Sequence, residues 1–251
     1  MASGQGTAAS SSGNTAFFGF PGLQGILLVV TAVLMLVDLY LIFLVAPTDA
    51  VLGHVQRIFY FHVPIAIVSF VAFFVVFVAS IGYLVTRKSG WDSVAHAAAE
   101  VGVVFVSLAL LTGIVWARPV WNVWWTWEPR LTTTLILWLI YVAYLMLRSY
   151  VPNKSQGALY AAGLGIIGFI DVPIVYYSVQ WWRSIHPSAV VGPLADAGAL
   201  EPVMQYVLFY SMAVFLLLFL YLLLERMRLR NIEDGLSLLR FSQRLKQSNM
   251  D

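Results

Sequence analysis

Residues 203–224 read VMQYVLFYSMAVFLLLFLYLLL, and no side chain in that run carries a formal charge. About 20 apolar residues in a helix cross the hydrocarbon core of a bilayer. Backbone groups in lipid must bond within their own segment, and the run lacks the alternation of a barrel strand, so it reads as a transmembrane helix. Working outward, five more such runs stand at about 23–45, 63–85, 97–117, 131–147 and 158–179. Asp38 interrupts the first, Glu100 lies in the first turn of the third, Arg130 and Arg148 bound the fourth, and Asp171 sits within the fifth. The expected fold is all-α: a polytopic membrane protein, a bundle of six transmembrane helices.

Composition points the same way. The chain has 251 residues, 61% of them hydrophobic and 10% charged. Soluble domains carry about 25% charged residues, and disordered chains are poor in aliphatic and aromatic side chains. Residues 1–21, rich in Ser, Gly, Ala and Thr, read as a disordered leader and lack the basic start of a secretory signal. Residues 22–226 form the membrane domain, and 227–251 a cytoplasmic tail. The tail mixes Leu with Arg and Glu, which suits an interfacial amphipathic helix or a plain anchor of topology. Cysteine is absent, which excludes disulfides, thiolate metal sites, iron–sulfur clusters and covalent attachment of haem.

Orientation follows from Lys and Arg. Arg87, Lys88, Arg148, Lys154, Arg226, Arg228, Arg230, Arg240, Arg244 and Lys246 fall on one side; Arg57, Arg118, Arg130 and Arg183 fall on the other. Both termini are therefore expected in the cytoplasm, with outer loops at 46–62, 118–130 and 180–202.

Outer loop 118–130 reads RPVWNVWWTWEPR, with Trp121, Trp124, Trp125 and Trp127 crowded together and Trp116 just before. Tryptophans line membrane boundaries in general. So many in one short loop also offer a rigid stacking surface for a flat ligand. Three of the four histidines, His54, His62 and His186, fall on this face, and His96 on the other. His62 directly precedes the second span, where Pro64 suits a first helical turn. Two imidazoles on opposite faces of an iron porphyrin would complete six-coordination, with aromatic walls at its edge. A zinc site is the alternative; it needs three or four converging ligands, for which Glu128 and His54 are candidates. The outer arginines Arg57, Arg118, Arg130 and Arg183 suit haem propionates or snorkel to headgroups. Asp38 and Asp171 are expected to bond across helices, and Glu100 to be solvated.

Three stretches carry a family resemblance: 57–64 (RIFYFHVP), 124–132 (WWTWEPRLT) and 171–182 (DVPIVYYSVQWW) followed by His186. Together they resemble the cytochrome c maturation protein C, or haem exporter protein C, family of WWD-domain haem-handling membrane proteins, over about residues 22–225. The resemblance implies a non-covalently carried haem b at the outer face of the cytoplasmic membrane. It implies His62 and His186 as axial ligands of the iron. Trp121, Trp124, Trp125, Trp127 and Glu128 become the platform. Delivery is to a periplasmic haem chaperone, cytochrome c maturation protein E. ABC-transporter subunits A and B and the small membrane protein D are the implied partners. The role is transfer and not catalysis. Glu128 stands where the family has Asp, and Asn122 where Gly is usual, which leaves the acid's role open. A cytochrome c–haem ligase relative would carry more spans and further histidines, and a solute transporter or ABC permease would want broken helices or a coupling helix.

Overall fold

A computed structural model describes residues 21–187, 189–195, 198 and 200–248. Apart from Pro21, the leader expected at 1–21 lies outside them. Among the described residues seven α-helices follow one another: α1 (Pro21–Tyr40), α2 (Phe59–Thr86), α3 (Ser89–Trp121), α4 (Pro129–Tyr150), α5 (Lys154–Phe169), α6 (Asp171–Trp181) and α7 (Pro202–Ser248). A π turn (Leu41–Val45) prolongs α1, and a 3-10 turn (His54–Ile58) leads into α2. Helices α5 and α6 make up one span, so six segments among the described residues are long and apolar enough to cross a membrane. The chain is a multi-pass helical membrane protein.

The helices outrun the apolar runs. α3 continues to Trp121, four residues past the expected end at 117, and α7 runs unbroken from Pro202 through most of the expected tail. A charged residue marks where lipid ends, not where a helix must end. Span 5 breaks at Ile170, whose N–H bonds the Ile167 carbonyl at 3.1 Å, and restarts at Asp171. Pro173 explains the break: it has no N–H to return to the Phe169 carbonyl, and it is tolerated in the first turn of a new helix.

α2 and α3 pack along most of their length; α5 and α7 close on α2, and α1 lies outside against α7. Close approach depends on small residues, as is usual between helices in lipid. A Cβ on Gly102 would stand 2.8 Å from the Phe73 ring, and one on Gly168 would stand 2.7 Å from Ile140. Phe73 in turn stacks on Tyr141, centroids 3.7 Å apart. Asp38 is wholly buried and accepts a hydrogen bond from Ser211 of α7 at 2.7 Å, the cross-helix bond expected of it. Asp171 is buried with Oδ2 unpartnered. Glu100, expected to be solvated, instead receives two bonds from Arg226 at 2.5 and 2.9 Å and pairs with His96 at 3.1 Å. With Arg148 on Asp92 at 2.5 and 2.7 Å, these pairs tie α3, α4 and α7 together at the end of the bundle opposite the tryptophan loop.

Candidate functional site

The tryptophan loop is shorter than the sequence suggests. α3 carries Arg118 and Trp121 as helical residues, and ends where Asn122 adopts a left-handed conformation (φ 58°) and returns its N–H to the Arg118 carbonyl at 3.0 Å. Glycine is favoured at such a C-cap and asparagine is the usual substitute, which accounts for Asn122. The loop closes at Glu128, the N-cap of α4: its carboxylate accepts the Leu131 N–H at 2.8 Å, with Pro129 at the first helical position.

Beneath this loop lies a cavity of about 310 Å³, at the lower end of the roughly 300–1,000 Å³ range of small-molecule sites. Its walls come from α2, α3, α4, α6 and the start of α7 and from the segments before α2 and α7, and most are apolar, with Val63, Phe70, Leu110, Leu131, Val175 and Met204 among them. His62 and His186, far apart in sequence, both line it. α2 begins at Phe59, so Pro64 sits in the second turn and His62 is set into the cavity wall rather than at the helix entrance. Its ring meets Trp116 edge-on at 5.8 Å, and its Nδ1 lies 2.9 Å from Thr112 Oγ1.

His186 is held through its backbone. Its N–H donates to Ser184 Oγ at 3.1 Å, and the Ser184 hydroxyl donates to Glu128 Oε2. Glu128, 9% exposed, thus links the tryptophan loop to the segment that carries His186. On the ring, Nδ1 lies 2.9 Å from the Pro187 carbonyl and 3.3 Å from Arg130 Nη1. A carbonyl only accepts and a guanidinium only donates, so one tautomer cannot bond both. The closer carbonyl places the proton on Nδ1. The hydrogen bonds found for both rings among the described residues run through Nδ1, and the Ala109 carbonyl also faces the His62 ring. Burial, then the Arg130 charge, lowers the His186 pKa to about 4 against the opposing pull of the Pro187 carbonyl, so the ring is neutral at physiological pH.

Of the residues singled out in the sequence, His62, His186, Trp121, Glu128 and Arg130 line the cavity. Trp124, Trp125 and Trp127 do not. Beyond Asn122 the chain leaves the helix, and Trp124 and Trp127 project outward at 58% and 74% exposure. Trp125 packs edge-on against Trp127 at 5.5 Å. Three of the four arginines also stand elsewhere. Arg118 is held by the Asn122 carbonyl and side-chain oxygen and lies over Trp124. Arg57 lies beside Phe43, and Arg183 is exposed. Arg130 donates to the Tyr176 carbonyl at 2.9 Å and keeps a buried Nε without a partner. His54 is exposed, and no group of three or more His, Asp or Glu among the described residues is arranged to hold a metal ion. Thr112, Ser184 and Tyr176 carry no sequence signal of a role here. Tyr176 anchors the last loop: its hydroxyl donates to the Val191 carbonyl at 2.9 Å and accepts the Leu194 N–H at 3.3 Å.

Fold and site define a class: a multi-pass helical membrane protein with two imidazoles in one apolar cavity at an end of the bundle. The particular family follows from comparison with known proteins. The sequence model of the family described as "Heme exporter protein C" matches residues 11–239. Proteins named heme exporter protein C are similar to this chain. That of Bradyrhizobium diazoefficiens is 39% identical over 202 residues, 79% of this chain and 74% of the relative. Those of Paracoccus denitrificans and Escherichia coli K12 are each 36% identical over 183 residues, covering 72% and 73% of this chain and 76% and 73% of the relative. The chain belongs to the heme exporter protein C family.

Proposed function

We propose that this protein binds haem b in the cavity between α2, α3 and the last loop, with His62 and His186 as the two axial ligands, and passes it to a periplasmic haem chaperone during cytochrome c maturation. The observation that carries the reading is the convergence of two imidazoles, His62 and His186, in one apolar cavity. Neutral imidazole is the form that binds a metal. Two axial imidazoles leave the iron no open position for small-molecule chemistry, which suits transfer rather than catalysis. The unpaired Arg130 Nε suits one propionate. Trp116 and Trp121 serve as inner walls, while Trp124, Trp125 and Trp127 surround the mouth, where an exposed aromatic patch suits an acceptor protein.

The charge distribution supports a cytoplasmic membrane location with both termini inside, and in that orientation the cavity opens at the periplasmic surface. The family's chaperone, cytochrome c maturation protein E, is then the acceptor, and ABC-transporter subunits A and B with the small membrane protein D are the assembly partners.

The experiment is transfer. Haem-loaded protein in nanodiscs is mixed with the soluble domain of the chaperone, with the partner subunits present, and the haem spectrum of each fraction is followed. Haem should appear on the chaperone, and His186→Ala should change the yield. Haem that stays with the membrane fraction under all these conditions contradicts delivery while leaving binding intact.

A further inference from the structure

The hydrogens around Thr112 can be counted. Its Oγ1 lies 2.7 Å from the Leu108 carbonyl, 3.2 Å from the Ala109 carbonyl, which also faces the His62 ring, and 2.9 Å from His62 Nδ1. Two oxygens at 2.7 Å need a hydrogen between them, and a carbonyl has none, so the single hydroxyl proton of Thr112 points at Leu108. This is the ordinary back-bond of a helical threonine to the residue four before it. The contact to Nδ1 then needs a second hydrogen, which only the imidazole can supply. Gly113 completes the seat: a Cβ there would stand 3.2 Å from His62 Cε1, so the glycine leaves room for the ring to lie against α3.

We infer that Thr112 is a positioning residue that fixes His62 as the Nδ1–H tautomer, leaving its Nε2 lone pair free at the cavity for a metal-bearing ligand. An imidazole ligand is commonly oriented in this way by an acceptor on its other nitrogen, and loss of that acceptor typically costs 10–100-fold in metal affinity. The Pro187 carbonyl does the same for His186 through the backbone. Both rings are then in the ligating tautomer before any ligand arrives. The inference rests on the reading of His62 as a ligand, yet the tautomer can be measured with the cavity empty.

The test uses the full chain in nanodiscs with 15N-labelled histidine, the His62 signals being assigned by their loss in His62→Ala. In the empty wild-type protein Nδ1 should be protonated and Nε2 not. Thr112→Val, close in shape but without an acceptor, should shift His62 toward the Nε2–H form, and Thr112→Ser should restore the wild-type pattern. In the loaded protein, Thr112→Val should speed haem loss by about 10–100-fold, with Thr112→Ser close to wild type. An Nε2–H pattern in the wild type, or a Thr112→Val variant unchanged in both measurements, overturns the inference. A protonated Nδ1 in a protein whose haem is held by other ligands leaves the tautomer assignment standing and overturns the reading of the site.

Discussion

His186 is neutral for two reasons acting together: its ring is drawn into the cavity wall away from solvent, and Arg130 stands 3.3 Å from it. With a pKa of about 4 in the folded protein, against about 6.5 in an unfolded chain, the unfolded state binds more protons between those values. This group's contribution to stability is full above pH 6.5 and is lost as pH falls toward 4. Haem loading that depends on neutral His186 should therefore be flat from pH 8 to about 5, checked by spectral titration in nanodiscs. A fall with its midpoint near 6.5 would contradict the burial argument. The tryptophans are predicted to divide. Trp121→Ala removes a cavity wall and should lower haem retention several-fold. Trp127→Ala, at an exposed position, should leave retention near wild type and lower transfer to the chaperone. Retention assays on the two variants decide it. His62 and His186 were legible in the sequence because histidine is scarce and both fall beside the tryptophans. Thr112 and Ser184 were not, since a helical threonine and a loop serine acquire a role only from what the fold brings to them.

Among the elements, α4 depends most visibly on one side chain. Glu128 caps its first turn and holds Ser184. Glu128→Ala should cost about 1 kcal/mol for the cap alone, and more for the lost tie, read as a lower unfolding temperature in detergent. Loosening of His186 should accompany it as weaker haem retention. Ser184→Ala keeps the cap, so it should spare the unfolding temperature and still weaken retention. Equal effects of the two variants on stability would contradict the division of roles. The position of each span was legible because charge-free runs of this length have few other uses. Helix ends were less so: the left-handed Asn122 stops α3 at a point that apolar composition does not mark. The break at Ile170 was hidden for a similar reason, since Asp171 and Pro173 sit in a run otherwise apolar enough to read as continuous. The acid expected in an open role on the platform proved to be a buried cap, because the proline after it opens the helix that it caps.

For the whole molecule, the ion pairs of Glu100 with Arg226 and Asp92 with Arg148 lie at one end of the bundle and the histidine cavity at the other. On the charge count, the proposed orientation has the first end in the cytoplasm. Tags at residue 2 and at Asp251 should both report cytoplasm, and one inserted near Asn122 should report the opposite side; a C-terminal tag outside would invert the molecule and move the cavity away from any periplasmic acceptor. The architecture of six spans was readable from composition, whereas the meeting of α2 and the last loop in one cavity required the packing of α2, α3, α4 and α6. The central claim is that His62 and His186 hold one haem between them. The most direct measurement is the absorption spectrum of the purified protein beside His62→Ala, His186→Ala and His96→Ala. A six-coordinate two-imidazole spectrum in the wild type and in His96→Ala, altered in each of the other two, is the predicted result; a spectrum that survives both His62→Ala and His186→Ala would contradict it.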